Sequence, residues 1–169
     1  MQAKAVGLYQ GLPIDDPKSL QDVTIDVNDP VGRDVLIEVV ATSVNPIDTK
    51  QRQVQAATTV PRILGYDAVG KVVAVGDAVT SIMKDDLVYY AGAVGRAGSD
   101  AQYQLVDERL VALAPKTWTA AQSAGLPLTA LTAWEPLFVR LPFKLARQPP
   151  PCQTPVVCYV HGGCECSVL

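Results

Sequence analysis

Cysteine and histidine are missing from the first 151 residues: Cys152, Cys158, Cys164 and Cys166 crowd the end of the chain, with the only histidine, His161, among them. Most of the sequence therefore lacks a thiol nucleophile and the soft ligands on which zinc sites are built. Charge is sparse too: 18% of residues are charged, the net charge is −3, and neither sign gathers into a stripe. That excludes a nucleic-acid surface, which needs clustered lysine and arginine. No apolar run reaches the ~20 residues of a membrane span, and the N-terminus lacks the charged-then-apolar layout of a secretion signal. The expectation is a soluble cytoplasmic protein with no membrane partner. Core material is plentiful: 49% of the 169 residues are hydrophobic, enough for one packed domain and the start of a second.

Short β-branched runs separated by turn residues dominate the chain. Lys4 to Leu8, Val23 to Val27, Val69 to Val75, Leu87 to Tyr90, Ala101 to Val106 and Val111 to Ala114 read as strands. Val35 to Val44 is a nearly continuous apolar run, which suits a strand covered on both faces. Gly65 and Gly70 bracket an expected turn, while Gly92, Gly95 and Gly98 recur every third residue in a loop and do not form a dinucleotide fingerprint. Asp15-Asp16, between Pro13 and Pro17, reads as a solvated turn before it reads as an acid/base pair. The fold class expected is mainly β, a compact irregular barrel, followed by helices.

Asn45-Pro46-Ile47-Asp48 reads as a helix start. Proline is at home in the first turn, where its missing N–H has no partner to lose. Asn45 is the natural N-cap, and Asp48 favours the helix dipole. Gln51 to Thr59 is polar and small and reads as a surface loop. Farther on, Thr117 or Thr119 caps a short helix ending at Gly125, and Pro127 opens another carrying Leu128, Leu131, Trp134, Phe138 and Leu141 at helical spacing.

Five segments in order carry a resemblance: Leu12-Pro13-Ile14-Asp15-Asp16-Pro17, Ser43 to Lys50, Leu64 to Gly70, Leu105 to Arg109 and Leu126 to Glu135. Together they resemble the medium-chain dehydrogenase/reductase superfamily, in its quinone oxidoreductase-like branch and the zinc-type alcohol dehydrogenase-like subgroup. The resemblance implies a GroES-like substrate-side domain over residues 1–126 and a helix over 127–141 leading to a Rossmann domain. It also implies NADPH as cofactor and a small quinone or enone as substrate. Asn45 and Asp48 would carry catalytic roles in the cleft, and Asn45 and Thr132 would approach the nicotinamide. Asn45 and Asp48 can equally be a helix cap and a first-turn acid, and Thr132 a helix residue bonding its own backbone.

The subgroup's name does not bring its metal. Zinc alcohol dehydrogenases place a cysteine at the end of the strand occupied here by Val35 to Val44, a histidine where this chain has Tyr66 and a glutamate where it has Asp67. No catalytic zinc is expected. The usual Pro-Gly-Asp turn stands here as Lys84-Asp85-Asp86, so Asp85 is expected to take any positive φ that turn requires.

Residues 142–169 depart from the pattern. Three readings stand side by side: a frame-shifted, spliced or truncated segment, a degenerate Rossmann start at Pro155 to Val160 with Gly162-Gly163, and a zinc site from Cys158, His161, Cys164 and Cys166. On the first, the chain alone is expected to show negligible turnover and weak NADPH binding. A non-enzymatic GroES-like interaction module, self-associating through the apolar helix face of Trp134 and Phe138, is the alternative.

Overall fold

A computed structural model describes residues 1–140 and the backbone of two later strands. In chain order the elements are β1 (Gln2–Leu8), β2 (Gln21–Asp26), β3 (Asp34–Ser43), α1 (Pro46–Val54), β4 (Arg62–Ile63), β5 (Asp67–Val75), β6 (Leu87–Ala91), β7 (Tyr103–Asp107), β8 (Val111–Leu113), α2 (Ala120–Ala124), α3 (Pro127–Trp134), β9 (Cys158–His161) and β10 (Glu165–Val168). They fall into two compact units, Met1–Leu128 and Thr129–Leu169.

The first unit is built on two antiparallel sheets, ordered β7-β3-β5-β6-β8 and β2-β1-β4. Residues 100–102 stitch them together. Val6 N–H donates to Asp100 O (2.8 Å), Gln102 N–H to Lys4 O (2.9 Å) and Val39 N–H to Gln102 O (2.9 Å). The result is the compact irregular barrel expected from the strand pattern. Val35, Ile37, Ala68, Val72, Val88, Tyr90 and Val106 fill its main core, each at most 2% exposed. At roughly 1.5–3 kcal/mol for each large apolar side chain, this cluster is the barrel's main source of stability.

Three local expectations change in the first unit. Only the first half of β3 is covered on both faces; beyond Glu38 it alternates, and Val40 and Val44 lie exposed. The strand runs off the core edge toward α1, so its outer side chains meet solvent. Gly70 is not in a turn but inside β5, where an added Cβ would come within 2.4 Å of Glu38 O. The close approach of β3, next to a register shift between Val39 and Ala41, requires glycine there. Residues Gln51 to Val54 are not loop but the last turn of α1. Arg52 holds that turn down, buried with its Nη1 donating to Leu12 O at 2.7 Å.

In the second unit the α-helical register of α3 stops at Trp134, and Glu135–Arg140 continues as a wider π-type turn. Pro136 supplies the cause, since it cannot donate the hydrogen bond that an α-turn needs. Trp134 and Phe138 still meet, with ring centroids 4.5 Å apart, and Leu131, Trp134 and Val139 are exposed. β9 pairs antiparallel with β10. The rest of 142–169, and with it the choice among the three readings of the cysteine segment, lies outside the described residues, as does Leu141. No helix among the described residues is long and apolar enough to cross a membrane.

Asp85 takes the positive φ expected of its turn, at 75°. Its carboxylate meets Lys71 Nζ at 2.7 Å on the surface. Between the two threonines proposed as the cap of α2, the structure uses Thr119, whose hydroxyl accepts the Gln122 N–H at 3.3 Å.

Candidate functional site

Four segments converge where β3 ends: Ser43 to Asn45, the first turn of α1, the start of β5, and the residues leading into α3. Asn45 is the N-cap of α1, in extended conformation, and shares a capping box with Asp48. The Asp48 carboxylate closes that box by accepting the Asn45 N–H at Oδ2 (2.8 Å). Its other oxygen accepts the Gly65 N–H at 3.1 Å, so Asp48 ties the helix start to the loop before β5. Asp48 is buried, which a first-turn acid on a surface helix would not be.

Asp67 is the centre of the cluster, with no exposed surface. Its Oδ2 accepts from Asn45 Nδ2 (3.0 Å) and Ser43 Oγ (3.4 Å), and its Oδ1 accepts the Leu128 N–H (2.7 Å). Burial pushes the Asp67 carboxyl above its ordinary range, against the lowering pull of Asn45, Leu128 and Ser43; the charge of Asp48 adds to the rise. A third carboxylate, Asp100, is raised in the same way, by burial first and by Asp48 second. Ser99, beside it, is buried and shares a 2.7 Å hydroxyl contact with Thr42, whose Oγ1 also donates to Asp67 O at 2.8 Å.

Gly65 makes this packing feasible. Its φ of 95° lies in territory that favours glycine, and a Cβ there would come within 2.4 Å of Ser99 Oγ. Tyr66 follows, buried, with its main-chain oxygen accepting the Gly92 N–H at 2.7 Å. An open hollow of about 460 Å³ is lined in part by Lys4, Val39, Thr42, Ser99 and Asp100 but takes in none of Asn45, Asp48 or Asp67.

Of the residues singled out from sequence, the structure brings Asn45 and Asp48 together through two elements of one capping box. Thr132 lies half-buried on α3 in the second unit. Sequence reasoning passed over Asp67 as a site residue in its own right, noting it only as the counterpart of a glutamate in zinc enzymes. The available signal was a carboxylate inside the otherwise apolar run Ala68-Val69 onward, where a charge needs a buried partner.

Both Asp67 oxygens accept hydrogen bonds, the neighbouring positions are Val44 and Tyr66, and among the described residues no group of three or more His, Cys, Asp or Glu is placed to hold a metal ion.

The alcohol dehydrogenase GroES-like domain model matches residues 32–116. The chain is 42% identical over 135 residues to a zinc-type alcohol dehydrogenase-like protein of Staphylococcus epidermidis, covering 80% of this chain and 40% of that one. It is 44% identical over 123 residues to the chloroplastic NADPH-dependent alkenal/one oxidoreductase of Arabidopsis thaliana, covering 67% of this chain and 31% of that one. Among solved structures, a Rhizobium etli protein described as a zinc-dependent alcohol dehydrogenase superposes with a TM-score of 0.79 at 46% identity, covering 82% of this chain and 40% of the other. The chain thus spans about two fifths or less of the length of these relatives. Its barrel, its matched segment and these relatives agree: the chain belongs to the alcohol dehydrogenase GroES-like domain family of the medium-chain dehydrogenase/reductases.

Proposed function

We propose that this chain supplies the acceptor-side half of an NADPH-dependent, zinc-independent reductase of enones or quinones. The observation that carries the reading is the buried Asn45–Asp67 pair at the start of α1, which offers a ligand a fixed amide. Similarity to the Arabidopsis alkenal/one oxidoreductase supports the enone and NADPH parts. When bound, NADPH supplies a hydride equivalent to the enone β-carbon or the quinone ring, and a solvent proton completes the two-electron reduction. The residues of this chain hold the acceptor. An Asn45 N–H donated to the acceptor's carbonyl oxygen would stabilise the negative charge that develops there, and a fixed amide does so without reorganising. By the family resemblance Thr132 would contact the nicotinamide, and Asp48 would act by holding Asn45 in place.

On this reading residues 1–140 bind the enone, and turnover requires a nucleotide-binding domain as well. The test pairs NADPH absorbance with a titration of the ¹⁵N-labelled chain by cyclohexenone. Shifts confined to Asn45 and its neighbours, with no NADPH loss, are expected. NADPH oxidation by the chain alone would overturn the half-site assignment, and an unmoved spectrum would overturn the acceptor site.

A second reading is favoured by one observation: Leu131, Trp134 and Val139 are exposed on the helical segment that begins at Pro127. In it the chain is an interaction module that self-associates through this face. Sedimentation that stays monomeric across the micromolar range, without binding of a hydrophobic dye, would remove it.

A further inference from the structure

Asp67 can only accept hydrogen bonds while it is ionised, and besides the Ser43 hydroxyl it faces two nitrogen donors. One is the main-chain N–H of Leu128, at 2.7 Å from Oδ1. The other is the Asn45 amide, whose nitrogen lies 3.0 Å from Oδ2. An asparagine amide presents an oxygen on one side and an NH2 on the other, and its neighbours choose which way round it stands. Here the carboxylate makes that choice. With the NH2 turned to Asp67, one of its two N–H bonds is committed and one is left over.

We infer that Asp67 is a positioning residue: its carboxylate locks the Asn45 amide in one orientation, so that the site offers a ligand a hydrogen-bond donor and selects a carbonyl oxygen. This rests on the acceptor-side reading above and deepens it by naming the group recognised. Asn45 is only 8% exposed, so whatever it offers is narrow and directional. The same carboxylate fixes the Leu128 N–H, so the orientation of Asn45 and the start of α3 share one anchor.

Asp67→Asn tests the idea by keeping shape and removing certainty. An amide at position 67 can turn its oxygen to Asn45 or to Leu128 but not to both; the other donor then faces an NH2. In the ¹⁵N spectrum of the full chain, the Asn45 side-chain protons of the wild type should be widely split, with one slow to exchange. In Asp67→Asn that splitting should collapse or the Leu128 N–H should move upfield, while core amides such as those of Ile37 and Val88 stay in place. Affinity for cyclohexenone should fall about tenfold, the loss of one oriented hydrogen bond. Asp67→Glu, which restores a carboxylate, should recover part of the splitting.

An Asn45 pair in Asp67→Asn that matches the wild type, with affinity unchanged, would overturn the inference. If Asp67→Asn fails to fold, the wild type alone decides, because a collapsed, fast-exchanging Asn45 pair is incompatible with the lock. Should the splitting depend on Asp67 while cyclohexenone fails to bind the wild type, the orienting role stands and the acceptor-side reading falls.

Discussion

Replacing Gly65 with alanine is the sharpest perturbation of the site that leaves every site side chain in place. Two costs add. Alanine must adopt a φ of 95°, beyond the left-handed region where non-glycine residues find partial relief. Such strain costs about 1–3 kcal/mol. Its methyl would also lie 2.4 Å from Ser99 Oγ and 2.9 Å from Asp100 N. Neither neighbour is free to retreat. Ser99 is buried and bonded to Thr42 at 2.7 Å, and the Asp100 N–H is bonded to Leu64 O at 2.9 Å. Overpacking of this kind adds about 1–3 kcal/mol. The expected loss is therefore roughly 2–6 kcal/mol out of the ~5–15 kcal/mol typical of a domain. Urea unfolding followed by circular dichroism measures it as a lower midpoint at an unchanged slope. Adding Ser99→Gly removes the closest obstacle but not the backbone strain, so the double variant should recover only part of the loss. A Gly65→Ala protein within about 0.5 kcal/mol of wild type would refute the reasoning, because surface-like tolerance is incompatible with a buried left-handed glycine.

Other perturbations separate structural from functional carboxylates. Asp100 has a raised folded pKa, so its ionised form opposes folding above the unfolded value of 3.8. The variant Asp100→Asn should gain stability relative to wild type as pH rises from below 3.8 to neutral, and a difference that shrinks over that rise would contradict the assignment. Glu108 has the opposite sign: the Thr80 N–H leads the causes that hold its carboxyl down, so its stabilisation is full above 4.5 and lost as pH falls through the lower folded value. Glu108→Gln should thus lower the melting temperature at neutral pH and flatten the acid side of the profile. In the main core, Ile37→Ala should cost about 2–5 kcal/mol in urea unfolding. Asp85→Gly should raise the urea midpoint, since it relieves the φ of 75° and loses only an exposed pair with Lys71.

The barrel was legible because its signal is local. A β-branched run such as Val35 to Val39 or Val69 to Val73 declares a strand within five residues, and the Asn-Pro-x-Asp spacing declares a helix start within four. The site was half legible for the same reason: Asn45 and Asp48 belong to one local motif. Asp67 was not, since its partners lie 22 and 61 residues away and no short pattern encodes them. The end of α1 failed similarly. Gln51 to Val54 has no apolar stripe, and what holds the turn is Arg52 reaching Leu12, 40 residues back. The switch in register after Trp134 was present in the sequence at Pro136, where proline's missing donor overrides helical spacing.

Two buried carboxylates in the same barrel show why one is read as scaffold and the other as site. Glu108 accepts the Thr80 N–H at 2.9 Å, the Ser81 N–H at 3.3 Å and the Ser81 hydroxyl at 3.1 Å, and it pairs with Arg33. Those partners more than offset its desolvation, so its pKa falls. Asp67 has three donors as well, but no cation, and a second carboxylate, Asp48, nearby; burial wins and its pKa rises. A neutral isostere would avoid that desolvation. On the proposed function, what the charge contributes beside Asn45 is an acceptor that cannot turn into a donor. Serine, asparagine and glutamine all fail that requirement, because each can present a hydrogen to Asn45; an ionised aspartate cannot.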